Sequence, residues 1–124
     1  MIPRYRAWLK EDKEMIDVEE MHFYNGEFDF IGGAITWMCK SNDCVLMQST
    51  GLRDKNGREI FEGDIVKMAK NVYSELTYYE VVRHRGGAYR LESKRHGCEL
   101  WLRHTDCEIA GNIWVNPELL EVKQ

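Results

Sequence analysis

No run of apolar residues in this 124-residue chain approaches the ~20 that a membrane-spanning helix needs. The opening MIPRYRAWLKEDKE is too polar for an export signal, so the expected location is the cytoplasm of a cell. Cysteine is sparse: Cys39, Cys44, Cys98 and Cys107. Without an export signal these read as free thiols in a reducing compartment, several of them buried, and not as two disulfides. An excess of basic charge is also missing. The net charge of −4 argues against a protein that coats DNA without regard to sequence. Repeats, low-complexity tracts, a glycine-rich phosphate loop, a spaced acidic motif and a metal-ligand quartet are all absent. Their absence removes the usual sequence grounds for an enzyme, so a non-enzymatic protein without a cofactor is expected.

What is present is ordinary globular composition, 44% hydrophobic and 31% charged, in a chain long enough to bury a core without staples. Thr50–Val66 is the densest stretch. Asp54-Lys55-Asn56-Gly57 reverses the chain, because Asn and Gly tolerate positive φ. Glu62-Gly63-Asp64 turns it again into the strand Asp64–Met68, where Ile65 and Val66 should take opposite faces. Gly63 is expected in a conformation that a Cβ disfavours. Further strands are predicted over Tyr5–Trp8, Glu27–Ile31, Ala34–Met38, Val45–Thr50, Leu76–Arg83, Ala88–Leu91, Cys107–Val115 and Glu99–Leu102, the last with Leu100 and Leu102 on one face and Trp101 on the other. In Met15–Tyr24 a helix would put Met15, Val18 and Met21 on one face, while Val18, Phe23 and Tyr24 favour strand, the preferred reading. Asn25-Gly26 and Gly86-Gly87 supply hairpin turns, while Cys39–Asp43 and Ser93–Gly97 read as loops. Asn116-Pro117-Glu118 has the chemistry of a helix start, giving a short C-terminal helical turn.

Three blocks, in order and spanning most of the chain, resemble the YopX family of bacteriophage and prophage proteins. They are Arg4-Tyr5-Arg6-Ala7-Trp8; Leu46-Met47-Gln48 with Thr50-Gly51-Leu52, Asp54-Lys55-Asn56-Gly57 and Ile60–Val66; and Ile109–Ile113 with Asn116-Pro117-Glu118-Leu119-Leu120. Leu9 stands where that family often has Asp, and Ser49 where it often has an aromatic. The resemblance implies an all-β fold of two small, dissimilar β units of the sandwich or barrel kind, spanning approximately residues 1–50 and 51–124. It implies no activity, and it implies a bacterial host.

Two constellations invite a chemical reading. Cys39-x4-Cys44 and the group His96, Cys98, His104, Cys107 contain zinc-compatible ligands, but His96-x-Cys98 is too short for a knuckle and Thr105-Asp106 reads as a hairpin tip. Scattered core thiols are the expectation, with neither a metal site nor a Cys–His catalytic pair. Arg53-Asp54-Lys55 reads as a solvated tip. The stretch Arg83–His104 carries a net charge of +4, leaving −8 on the remaining residues. Its Arg83, Arg85, Arg90, Lys94, Arg95 and Arg103 are interleaved with Tyr89 and Trp101, the residue types that grip phosphates and stack on bases. The competing reading is that exposed strands carry charge for solubility and to discourage edge pairing. An exposed tryptophan would mark a binding surface. The expectation is an accessory module that binds a phage or host macromolecule or a second copy of itself, with protein the preferred partner over nucleic acid and membrane excluded.

Overall fold

A computed structural model describes residues 4–32, 38–69, 75–94 and 96–121, without the side chains of Met38 and Arg85. The expected strand over Ala34–Met38, together with Trp37 and Arg95, therefore lies wholly or largely outside the described residues. Twelve strands are described, and the chain divides into two compact units, Met1–Gln48 and Ser49–Gln124.

In the first unit β1 (Tyr5–Leu9) lies between β2 (Glu14–Asp17) and the first half of β6 (Cys44–Arg53), with Ala7 opposite Ile16 on one side and Leu46 on the other. Lys13 takes a φ of 54° to close the β1–β2 turn, its N–H donating to the Leu9 carbonyl at 2.8 Å. A second antiparallel sheet has the order β3 (Glu20–Tyr24), β4 (Glu27–Gly32), β5 (Met38–Lys40). Its hairpin turns through Asn25 and Gly26, both at positive φ, as an Asn-Gly turn requires. Matched aromatic pairs hold β3 on β4: His22 stacks on Phe30, and Phe23 meets Phe28 edge to face. The core of this unit is Ala7, Ile31 and Cys44, with Leu9, Ile16, Val18, Met21, Phe28, Cys39 and Leu46 packed around them. Burying a side chain such as Ile31 contributes about 1.5–3 kcal/mol.

The second unit holds a five-stranded antiparallel sheet. Its order is β11 (Gly97–Glu99), β10 (Tyr89–Glu92), β9 (Leu76–Arg83), β8 (Asp64–Ala69), β12 (Glu108–Asn112). β7 (Glu59–Phe61) pairs instead with the second half of β6. The core is Ile60, Val66, Met68, Tyr79, Val81, Leu91, Leu100 and Cys107. Pro117–Glu121 forms the expected helical turn, of the 3-10 kind.

The polar residues of the turns carry more of this unit than their surface chemistry suggests. Arg53, Lys55, Asn56 and Gly57 at the β6–β7 tip are exposed, as expected, but Asp54 between them is turned inward and only 4% exposed. Its Oδ1 accepts the N–H groups of Asn56 and Arg58, and its Oδ2 accepts that of Ile109 on β12, each at 2.9 Å. The Lys55 N–H adds a bond to the Cys107 carbonyl, and Asn56 Nδ2 reaches Glu108, which pairs with Lys67 at 3.0 Å. Asp64, also buried, accepts the Phe61 N–H at 2.8 Å and closes the β7–β8 turn. Ser49, where an aromatic was the family expectation, spends its hydroxyl on Glu59 at 2.5 Å and accepts the Gly51 N–H.

Several expectations need correction. Met15–Tyr24 is two strands, broken at Val18-Glu19, where the chain passes from one sheet to the other and Val18 N–H bonds the Tyr5 carbonyl. Cys39 lies in β5; only Ser41–Asp43 turns, as a 3-10 turn. Ile65 and Val66 are both fully buried, so β8 starts with both faces covered and does not alternate. Glu99–Leu102 is not a strand: after β11 the chain forms one α-helical turn, α1 (Leu100–Arg103), and Thr105-Asp106 belongs to a following 3-10 turn. The last strand stops at Asn112 because its Oδ1 takes the N–H groups of Trp114 and Val115, bending the backbone away from any ladder. The Asn116 side chain is not a helix cap; its Oδ1 accepts the Asn112 N–H.

Gly111 makes this second turn feasible. A Cβ there would overlap the Oδ1 and Cγ of Asn116. Gly111→Ala is therefore expected to push Asn116 off Asn112 and to destabilise by about 1–3 kcal/mol, read as a lowered urea midpoint. An unchanged midpoint would contradict this.

Candidate functional site

The stretch Arg83–His104 runs from the end of β9 through β10 and β11 into α1. β9 ends at Arg83, and the hairpin then turns through Arg85–Gly87, with Gly86 and Gly87 at φ 82° and 86°. Arg85 is thus outside the regular alternation that would have placed it beside Arg83. Tyr89 stands opposite Arg83 and packs against the core, so its ring does not stand out as a stacking platform.

Arg90 stands opposite Glu99, with Val82 across from it on the other neighbouring strand. Its guanidinium bonds Glu99 at 2.6 Å and lies 3.6 Å from Glu92. Gly97 makes room for it, since a Cβ there would sit 3.0 Å from the guanidinium. Glu92 also receives His84 Nε2 at 2.7 Å. Both acidic residues of the stretch are therefore spent on its basic ones. Glu80, opposite Glu92, has its carboxyl pushed up by burial and then by that neighbouring charge. Each half-exposed ion pair contributes about 0–1 kcal/mol, so the pairing matters here by consuming charge more than by adding stability. Arg103 is committed as well, to Asp106 at 3.0 Å and to the Ala69 carbonyl at 3.0 Å. Lys94 is exposed in the turn after β10. The side chains of Arg85 and Arg95 lie outside the described residues. Arg90 and Arg103 are thus held by separate partners on separate elements.

Trp101 does emerge. Leu100 anchors α1 in the core, and successive helical residues swing by a constant angle around the axis, so Trp101 and Leu102 point away from it. They are 63% and 57% exposed. Arg103 reaches the carbonyl of Ala69, whose partner across the β8–β9 ladder is Leu76, another exposed apolar side chain. Leu102 and Leu76 escaped the sequence reading, which took Leu100 and Leu102 as one face of a strand. The available signal was the Arg103–Asp106 pair at a spacing of three, which is helical. Elsewhere, Phe23 and Tyr24 on the edge strand β3 are 59% and 71% exposed.

Thiols and imidazoles have other partners. Burial pushes the Cys107 thiol up to about 12, helped by the Asp54 carboxylate, and its Sγ donates to the His104 carbonyl at 3.3 Å. Burial raises Cys98 too. His104 Nδ1 bonds the Arg53 carbonyl at 2.7 Å. Among the described residues, no three of His, Cys, Asp and Glu gather in a metal-holding cluster. None of the described helices is long and apolar enough to cross a membrane.

The chain is similar to two solved structures over nearly its whole length. Protein EF1440 from Enterococcus faecalis is 31% identical with a TM-score of 0.71, the match covering 97% of this chain and 99% of that one. Protein YopX from Bacillus subtilis is 19% identical with a TM-score of 0.68, covering 94% and 97%. No curated protein matches. The family model described as "YopX protein" matches residues 4–121, from the first described strand to the last helical turn, and the chain belongs to that family.

Proposed function

We propose that this chain is a non-enzymatic accessory protein of a bacteriophage or prophage. It works in the cytoplasm of the bacterial host and docks a protein partner, or a second copy of itself, through the Trp101-Leu102 turn. The observation that carries this reading is the pair of large apolar side chains presented together on α1, more than half exposed. Leaving that much apolar surface in water forgoes a gain of about 25 cal/mol per Å², which covering by a partner recovers. The exposed Phe23 and Tyr24 on an edge strand support the same class of function, because such an edge offers unpaired backbone groups to another chain. The ion pairs of Arg90 and Arg103 weigh against a phosphate-gripping groove. The absence of a thiol–imidazole hydrogen bond among the described residues weighs against Cys–His catalysis.

The test is a photoreactive amino acid placed at Trp101, with Lys94 as control position, in host cells carrying the phage. A partner crosslinked from position 101 but not from position 94 is the expected result, or a crosslinked homodimer whose sedimentation depends on concentration. Absence of both, with salt-sensitive binding of a labelled single-stranded DNA lost in Trp101→Ala, would replace this reading by the nucleic-acid one.

A further inference from the structure

We propose that a cleft in the first unit, walled by β1, β2 and β5, docks a lysine or arginine side chain of a protein partner. The cleft measures about 620 Å³, within the ~300–1,000 Å³ range of ligand pockets. Its floor is apolar: Leu9 from β1, Ile16 from β2 and Cys39 from β5, all packed on the core of the unit. The Cys39 thiol donates to the Lys40 carbonyl at 3.8 Å, so it is turned to its own strand. Four carboxylates stand around this floor. Glu11 and Asp12 come from the β1–β2 turn, Glu14 from the start of β2, and Asp43 from the turn before β6.

Among the described residues none of these four carboxylates forms an ion pair or hydrogen bond. Glu92, Glu99, Asp106 and Glu108 of the second unit, by contrast, all hold basic partners. The nearby cations are turned elsewhere. Lys10 Nζ is on the Asn42 carbonyl at 3.0 Å, and Lys13 is not part of the walls. Lys40 stands opposite Phe30, so its side chain leaves β5 on the other face from Cys39. Residues 1–48 hold nine acidic and five basic residues, which places the whole chain's net charge of −4 in this unit.

These features define the occupant. The floor takes a hydrocarbon stem and the rim takes a positive head. A bare metal ion does not fit, because no three of the carboxylates gather to hold one. A nucleic-acid strand is repelled by the rim. A lysine or arginine side chain has both parts: its methylenes lie along apolar surface while its charge stays at the wet edge. The inference concerns the first unit and does not rest on the Trp101 turn of the second.

The test uses isotope-labelled full-length protein, titrated with the capped peptide Gly-Gly-Lys-Gly-Gly and with matched peptides carrying norleucine or glutamate in place of lysine. Amide resonances are followed at low and high salt. The lysine peptide should shift residues 9–16 and 39–43, less so at high salt, and the other two peptides should not. Glu14→Gln with Asp43→Asn should weaken the lysine peptide roughly fivefold, the upper end for a half-exposed ion pair, whereas Glu118→Gln should leave it unchanged. Equal binding of the norleucine peptide, shifts spread equally to Glu20 and Glu27, or no shift at millimolar peptide would each overturn the proposal. The comparison of peptides on the wild type decides this even where the double variant fails to fold.

Discussion

Asp54→Ala is expected to lower the unfolding free energy by about 2–3 kcal/mol, because three partly buried N–H groups lose one carboxylate acceptor at once and each such bond contributes about 1 kcal/mol. Those donors are Asn56 and Arg58 in its own turn and Ile109 on β12. The second is 4 residues away and the third 55, so the carboxylate both shapes a hairpin and fastens it to the final strand. Asp54→Asn separates the two jobs. Its remaining oxygen can still serve the turn, while the new amide meets the Ile109 N–H donor to donor. The Asn variant should fall between wild type and Ala in urea denaturation followed by circular dichroism. A loss below about 1 kcal/mol for Asp54→Ala would mean that water replaces the carboxylate and that the tip is open after all.

Gly63→Val is the second large effect. Gly63 has a φ of 86°, in the left-handed region. A β-branched residue held there costs about 1–3 kcal/mol. Relaxation is blocked on both sides: the Gly63 N–H donates to the Val81 carbonyl and the Gly63 carbonyl accepts the Ile113 N–H, each at 2.9 Å. Gly63→Asn should be milder, since Asn tolerates that region. Thermal melts of the two variants beside wild type decide the matter. Equal melting temperatures for Val and wild type would show that the backbone can rearrange despite its two bonds.

The turns were legible because their requirement is local. Asn25-Gly26 and Gly86-Gly87 announce positive φ by residue type alone, and Gly63 does so with its flanking acids. The pairing of β9 with β10 follows from such a turn between two strand-like runs. What stayed hidden depends on residues far along the chain. Nothing near Asp54 says that its carboxylate will be buried, because the group that buries it includes Ile109. Leu100-Trp101-Leu102 is too short for its period to be read, and two leucines two apart fit a strand as well as the edge of a helical turn. The strand over Cys107–Val115 was read too long because Asn112 was treated as one more polar residue, whereas its side chain competes with the ladder. The candidate site was legible only as composition. Sequence gathers six basic residues, but the register that sets Arg90 against Glu99, and the turn that sets Arg103 against Asp106, decide that the charges of these two are already paired.

The place of β12 beside β8 has a consequence in time. β8 is synthesised about forty residues before its neighbour, and during that interval one of its edges has no mate. Until Glu108–Asn112 leaves the ribosome, the Asp54 carboxylate has no third donor, the Gly63 carbonyl has no Ile113, and Lys67 has no Glu108. The last strand thus closes the second unit, and a chain that ended before it would lack the edge partner of β8 together with these three bonds.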